Sequence, residues 1–178
     1  MTDRDETGAP GWHENVGRVL AAAETAGLKI EIRRFPEGTR TAVDAARAVG
    51  CDVSQIVKSL VFVAGDEPLL ALVSGADRAD PDRLAAALAE DGSSALSPIR
   101  RATADEAREA TGFAIGGIPP LGHVRPLAVL IDEGLLRHDV VWAAAGLPDA
   151  VFAVSPSLLA RAAGARVVAI ATDDPSAR

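Results

Sequence analysis

Lys58 stands inside the run Gln55-Ile-Val-Lys-Ser-Leu-Val-Phe-Val63 and is one of two lysines among 18 basic side chains. In an extended segment side chains alternate between faces, so Ile56, Lys58, Leu60 and Phe62 share one face and Val57, Ser59, Val61 and Val63 the other. An ammonium among apolar neighbours is costly to bury unpaired, which leaves two readings. Either its stem snorkels to water at the start of the strand, or its charge waits in a pocket for an anionic ligand. The second group that could do chemistry is Gly116-Gly-Ile-Pro-Pro-Leu-Gly122. Glycine lets a backbone approach a ligand closely, while Pro119 and Pro120 lack N–H groups and stiffen the chain. The donors left belong to Gly116, Gly117, Ile118, Leu121, Gly122 and His123. They either hold a carbonyl oxygen as it gains charge or serve a tight structural turn. The prolines exclude a dinucleotide fingerprint, whose helix start must receive the pyrophosphate.

Other chemistries find less support. The three histidines, His13, His123 and His138, have no metal-ligand spacing, and the only cysteine, Cys51, excludes an intrachain disulfide and a cysteine-rich zinc site. No P-loop, nucleophile elbow or zincin motif is present. A small-molecule hydrolase built on Cys51 is a separate reading. Asp132-Glu133 reads as a solvated turn before Gly134, because adjacent side chains point apart, and Trp142 reads as core. With no tyrosine and 3% aromatic residues the chain has no stacking platform for single strands. A formal charge of −7 argues against DNA and against any partner held by neutralising many phosphates. The mild excess of cations between Lys29 and Lys58 is either a local contact or a solvated face.

A scaffold must position these groups. At 178 residues, 48% hydrophobic and 24% charged, the chain reads as one domain able to bury a core without staples. A flexible polar lead occupies 1–12. Asn15 opens a helix to about Ala26, and Lys29 to Phe35 alternates as a strand. Thr41 caps a helix over Ala42 to Val49 that Gly50 stops. The Lys58 strand turns back at Gly65 to Pro68 into a strand over 69–73. Helices follow from Pro81 to Ala89 and from Thr103 to Thr111, the latter with Thr103 and Glu106 in capping-box spacing. Strands over 127–131, 140–144 and 150–154, a helix over 157–163 and a strand over 165–171 complete the chain. Hairpins together with helix-linked strands predict a mixed sheet of the α+β kind. The acidic N-terminus lacks signal-peptide features and no apolar run is long enough to span a bilayer, so a cytoplasmic location is expected.

The runs Thr41-Ala-Val-Asp-Ala-Ala-Arg-Ala-Val-Gly50, Gln55-Ile-Val-Lys-Ser-Leu60 and Gly116 to Gly122 together resemble the YbaK/ProX family of aminoacyl-tRNA deacylases, which is also the editing domain inserted in bacterial prolyl-tRNA synthetases. The likeness runs in one order from about residue 14 to residue 171. It implies a single α+β domain over 13–171, with a curved, barrel-like mixed sheet flanked by helices, and a flexible tail over 172–178. It implies a free-standing hydrolase that cleaves a wrongly attached amino acid from the terminal adenosine of tRNA, without metal or cofactor. The implied partners are the tRNA acceptor end and a synthetase or elongation factor that lends tRNA affinity; no membrane and no DNA are implied. Lys58 matches the family lysine that engages the substrate, and Gly116, Gly117 and Ile118 match the loop facing the aminoacyl carbonyl. Phe35, Thr41, Ser59, Leu121, Gly122, His123 and Gly146 fall around the substrate, and the neighbouring ribose hydroxyl supplies the base. Two positions depart from members that remove cysteine: Phe35 replaces a tyrosine, and Val151 takes the place of an aspartate, with Asp149 nearby. These departures keep open an alternative, a module of the same fold that binds tRNA ends or aminoacyl groups without turnover.

Overall fold

The computed structural model describes residues 11–90, 92 and 98–177; the flexible lead expected over 1–12 lies outside the described residues up to residue 10. Helix α1 (Glu14–Thr25) begins at His13 rather than Asn15, because the His13 imidazole accepts the Asn15 N–H at 3.1 Å. Val16, Val19 and Ala23 form its buried stripe at helical spacing. Strand β1 (Ile32–Arg34) is shorter than the alternation predicts, pairing only with residues 150–152. Helix α2 (Ala42–Val49) is bounded by a reciprocal Thr41–Asp44 capping box and by Gly50 at φ 78°.

Strands β2 (Val57–Ala64) and β3 (Glu67–Ser74) form the expected hairpin. Next come β4 (Asp77–Ala79), α3 (Pro81–Glu90), β5 (Ile99–Arg101), α4 (Ala104–Thr111) and β6 (Ala128–Asp132). The chain continues through β7 (Val141–Ala144), β8 (Ala150–Val154), α5 (Pro156–Ala162), β9 (Arg166–Val168) and β10 (Ala171–Asp173). One sheet runs β5-β2-β3-β6-β9, parallel at β3–β6 and β6–β9 and antiparallel elsewhere. A second, antiparallel, runs β1-β8-β7, and β10 pairs with β4. A bridge between Ile56 and Trp142 links the two larger sheets. The mixed α+β arrangement is the expected one, although the strands form separate sheets rather than a closed barrel.

Alternation along β2 and β3 feeds two cores. Val57, Val61, Leu70 and Leu72 pack toward α1, whereas Phe62, Leu69, Ala71 and Val73 pack with Leu84 of α3 and with Ile170. Leu70 and Leu72 are fully buried, each contributing roughly 2 kcal/mol by removal of apolar surface from water. The single strand expected over 165–171 divides into β9 and β10. At the division the Asp132 carboxylate accepts N–H groups of Ile170 and Ala171 at 2.9 Å each, and that of Gly134 at 2.8 Å. Asp132 is therefore a buried tie between β6 and the chain end, not part of a solvated turn. Within the stretch read as a tail, residues 172 and 173 belong to β10, and a 3₁₀ turn spans Pro175–Ala177. Among the described residues no helix is long and apolar enough to cross a membrane.

Candidate active site

On the side away from β3, strand β2 has only short partners. β5 pairs with Phe62 to Ala64 and Trp142 bridges Ile56, so among the described residues no strand covers Val57 to Val61 between them. The N–H and C=O of one residue point to the same side of a strand, and the side alternates. The Ile56 carbonyl accepts from Gly75 on the β3 side at 2.7 Å, and the Val61 carbonyl accepts from Ala102 on the β5 side at 3.0 Å. Ser59 therefore turns its main-chain groups toward the uncovered edge. A cavity of about 290 Å³ opens along it. Its apolar walls come from α2 (Ala42, Ala45), β2 (Val57, Val61), Trp142 and Val151, while Thr39, Arg40, Thr41, Lys58, Ser59 and Arg101 are its polar side chains. Among the described residues that line it there is no carboxylate, histidine or cysteine.

Lys58 reaches the rim from the Leu60 and Phe62 face. Its Nζ donates to the Asp77 carbonyl and stands 3.9 Å from an Asp174 carboxylate oxygen. The ammonium is thus both led outward and partnered. Burial holds its pKa below the usual lysine range, with Asp174 and Asp77 opposing the shift and Arg101 adding to it. Ser59 Oγ is buried and has no hydrogen-bond partner among the described residues. An unsatisfied buried hydroxyl costs about 1–3 kcal/mol, which a polar group in the cavity would recover.

The glycine loop starts with a β-turn over 114–117, closed by the Gly117 N–H on the Ala114 carbonyl at 3.1 Å. Gly116 takes its third position at φ 94°, where a side chain brings strain. Gly117 is thereby committed as a donor, and a Cβ there would lie 2.9 Å from the Leu147 carbonyl carbon. It seats the loop against the segment after β7 and does not line the cavity. Gly116 and Ile118 do line it, and their N–H groups have no protein acceptor among the described residues.

Several other residues singled out in the sequence stand behind the wall. Leu121 is buried in the main core. Gly122, at φ 88°, lies against α1, where a Cβ would be 3.2 Å from the Arg18 carbonyl oxygen. His123 is turned inward, with Nε2 2.8 Å from the Pro119 carbonyl oxygen and its ring edge-on to Phe113. Burial lowers its pKa, and the nearby Arg18 acts in the same direction. Phe35 donates its N–H to the Asp149 carbonyl at 2.8 Å and packs beside α2. Gly146, at φ 93°, accepts from Asn15 Nδ2 at 3.2 Å. None of these five lines the cavity. Thr41 lines it, but its hydroxyl caps α2, accepting the Asp44 N–H at 3.0 Å. Cys51 lies outside the lining, burial raises its thiol pKa, and its Sγ donates to the Asp52 carbonyl at 3.3 Å, so it offers no thiolate nucleophile here.

Arg18 gave no signal in the sequence. Its guanidinium donates to the carbonyls of Gly112 and Thr111 at 3.2 Å each and of Gly122 at 3.0 Å, while lying 4.2 Å over the Phe113 ring. One side chain thus ties the end of α4 and the last residue of the glycine loop to α1. Thr39, also missed, is buried and donates to the Pro148 carbonyl, holding the opposite lip.

Comparison with known proteins places this geometry. The family model of the aminoacyl-tRNA editing domain matches residues 36–162. A crystal structure of a candidate trans-editing enzyme for prolyl tRNA synthetase superposes with a TM-score of 0.81 at 44% identity, over 91% of this chain and 99% of that one. Protein YwhH of Bacillus subtilis (strain 168) is 26% identical over 129 residues, 72% of this chain and 78% of that protein. A proline–tRNA ligase of Ligilactobacillus salivarius (strain UCC118) is 33% identical over 104 residues, 57% of this chain but only 17% of the ligase.

Proposed function

The chain belongs to the aminoacyl-tRNA editing family, and from that membership we propose that it is a hydrolase acting in trans, as a separate polypeptide, on an amino acid wrongly esterified to tRNA. The observation that carries the reading is the composition of the cavity, whose described lining residues offer hydroxyls, main-chain donors and cations but no carboxylate, histidine or cysteine. Among the described residues Lys58 is the lining side chain of a general-base type, and it is engaged at the rim by the Asp77 carbonyl and Asp174. An aminoacyl ester is reactive enough for positioning and oxyanion stabilisation to suffice.

In this reading the aminoacyl group lies along the uncovered edge of β2, its polar atoms meeting the main chain and hydroxyl of Ser59. The Gly116 and Ile118 N–H groups stabilise the carbonyl oxygen as water adds to the carbonyl carbon. The vicinal ribose hydroxyl positions that water and relays its proton. The ester C–O bond then breaks and the ribose oxygen leaves as a hydroxyl, giving free amino acid and tRNA. Ala42, Ala45 and Val151 bound a small apolar end, which fits a small amino acid. Lys58, at the rim, meets the nucleotide. Phe35, Leu121, Gly122, His123 and Gly146 support the wall, and Thr41 fixes α2 beside it. The tRNA acceptor end is the partner, and likeness to a proline–tRNA ligase supports tRNA for proline as the first to try.

Single-turnover deacylation of a panel of mischarged tRNAs, including alanyl- and cysteinyl-tRNA for proline, tests the proposal. Hydrolysis of one or a few members is expected. Folded protein that binds these tRNAs but hydrolyses none would overturn it in favour of a binding module.

A further inference from the structure

We propose that Arg101, with Lys58 beside it, forms a phosphate site at the cavity mouth that holds the 5′ phosphate of the nucleotide carrying the amino acid; this rests on the editing reading. Arg101 ends β5 opposite Phe62, with its guanidinium carbon 5.2 Å from the centre of that ring. It lines the cavity, and the next residue, Ala102, bonds the Val61 carbonyl at the end of the uncovered edge. The neighbouring Arg100 is committed elsewhere, donating to both carboxylate oxygens of Glu106 at 2.8 and 2.7 Å. Arg101 has no carboxylate partner among the described residues.

Alternation puts Lys58, Leu60 and Phe62 on one face, so the lysine and the arginine stacked on Phe62 flank Leu60 at the same rim. Each of Lys58, Leu60 and Arg101 borders the cavity. Although Arg101 as a residue is exposed, enough protein surrounds its guanidinium to disfavour the charged form, and its charge in turn disfavours that of Lys58. Lys58 has the Asp174 carboxylate 3.9 Å away on one side and the charge of Arg101 opposing its own, so an anion placed between the two cations gains from both. A planar guanidinium fork matches two oxygens of a phosphate, and stacking on Phe62 holds that fork in place. With the ester carbonyl at Gly116 and Ile118, the same nucleotide carries its own phosphate outward to the mouth. This gives a chain of net charge −7 a local grip on tRNA without a broad basic surface.

The test is equilibrium binding of adenosine 5′-monophosphate and of adenosine to the full chain, in wild type, Arg101→Ala, Arg101→Gln and Arg40→Ala. Wild type should bind the monophosphate roughly tenfold or more tighter than adenosine, as charge-assisted hydrogen bonds require. Both Arg101 variants should bring that preference to within about twofold while adenosine binding stays unchanged, and Arg40→Ala should keep it. Circular dichroism and urea midpoints check that each variant is folded; Arg101→Gln keeps the stem over Phe62. Monophosphate that fails to bind, binds no tighter than adenosine, keeps its advantage in both Arg101 variants, or loses it in Arg40→Ala overturns the proposal. An Arg101-dependent preference in a protein that hydrolyses no mischarged tRNA would sustain the phosphate site while the editing reading falls.

Discussion

Removing the Arg18 fork should loosen the segment between the end of α4 and Gly122, which holds the glycine loop. Arg18→Ala deletes three donors to the carbonyls of Thr111, Gly112 and Gly122 and the contact over Phe113. Hydrogen bonds from a charged donor contribute about 1.5–3 kcal/mol each, but these are half-buried and water can replace part of them, so about 1 kcal/mol each is a fair discount. The cation over the ring contributes about 0.5 kcal/mol more, placing the loss at about 3.5 kcal/mol. With a denaturant slope of about 2 kcal/mol/M, the urea midpoint should fall by roughly 1.75 M. Arg18→Lys should recover little, because one ammonium nitrogen cannot reach three carbonyls set around a fork. At a temperature where both proteins are fully folded, single-turnover deacylation by Arg18→Ala should still fall by roughly tenfold or more, since the loop donors lose their register with the carbonyl. A stability change below about 0.5 kcal/mol, the usual range for an inconsequential surface site, would refute the tether.

The two loop glycines should separate in behaviour. Gly116→Ala meets nothing within 4 Å and carries only the positive-φ penalty, about 1–2 kcal/mol, whereas Gly117→Ala drives a Cβ to 2.9 Å from the Leu147 backbone and should cost clearly more; equal urea midpoints would contradict this. Glu106 is held at about 2, below its ordinary 4.5, first by Arg100 and then by the Thr103 N–H. A depressed carboxylate stabilises fully above its unfolded value and loses that contribution as pH falls through the folded one. Glu106→Gln should therefore flatten the fall in urea midpoint between about pH 5 and pH 2.5, and an unchanged slope would remove Glu106 from the acid limb. Asp132→Asn turns an amide N–H toward main-chain donors that now meet carboxylate oxygens. It should cost about 3 kcal/mol and lower Tm by roughly 6–12 °C; an unchanged Tm would remove Asp132 as the tie to the chain end.

The elements that sequence revealed are those whose signals are local. Thr41 with Asp44, Thr103 with Glu106 and Gly50 at a helix end settle their own boundaries within a few residues. The hairpin around Gly65 is equally self-contained. β4, β5, β9 and β10 are three residues each, too short for a period to show, and exist because a partner strand runs beside them. The candidate site divides the same way. Lys58, Ser59, Gly116 and Ile118 announce themselves by residue type within an apolar or glycine run, and all four border the cavity. That Gly117 is committed to Ala114 depends on the turn conformation, and that His123 faces inward depends on Phe113 and Pro119. Arg18 and Arg101 look like any helix or strand arginine in a chain where nearly every cation is arginine; only tertiary contacts separate them from the rest.

The central claim is that the ester is hydrolysed without a side-chain base, the substrate's own vicinal hydroxyl positioning the water. The direct measurement is the single-turnover rate on a mischarged tRNA that the wild-type protein deacylates, ending in adenosine or in 2′-deoxyadenosine and esterified at the 3′ oxygen in both cases. The account predicts that the deoxy substrate binds comparably and is hydrolysed slower by roughly 100-fold or more, the range for loss of a positioned acid–base group. Equal rates on the two substrates would contradict it and place the base on the protein.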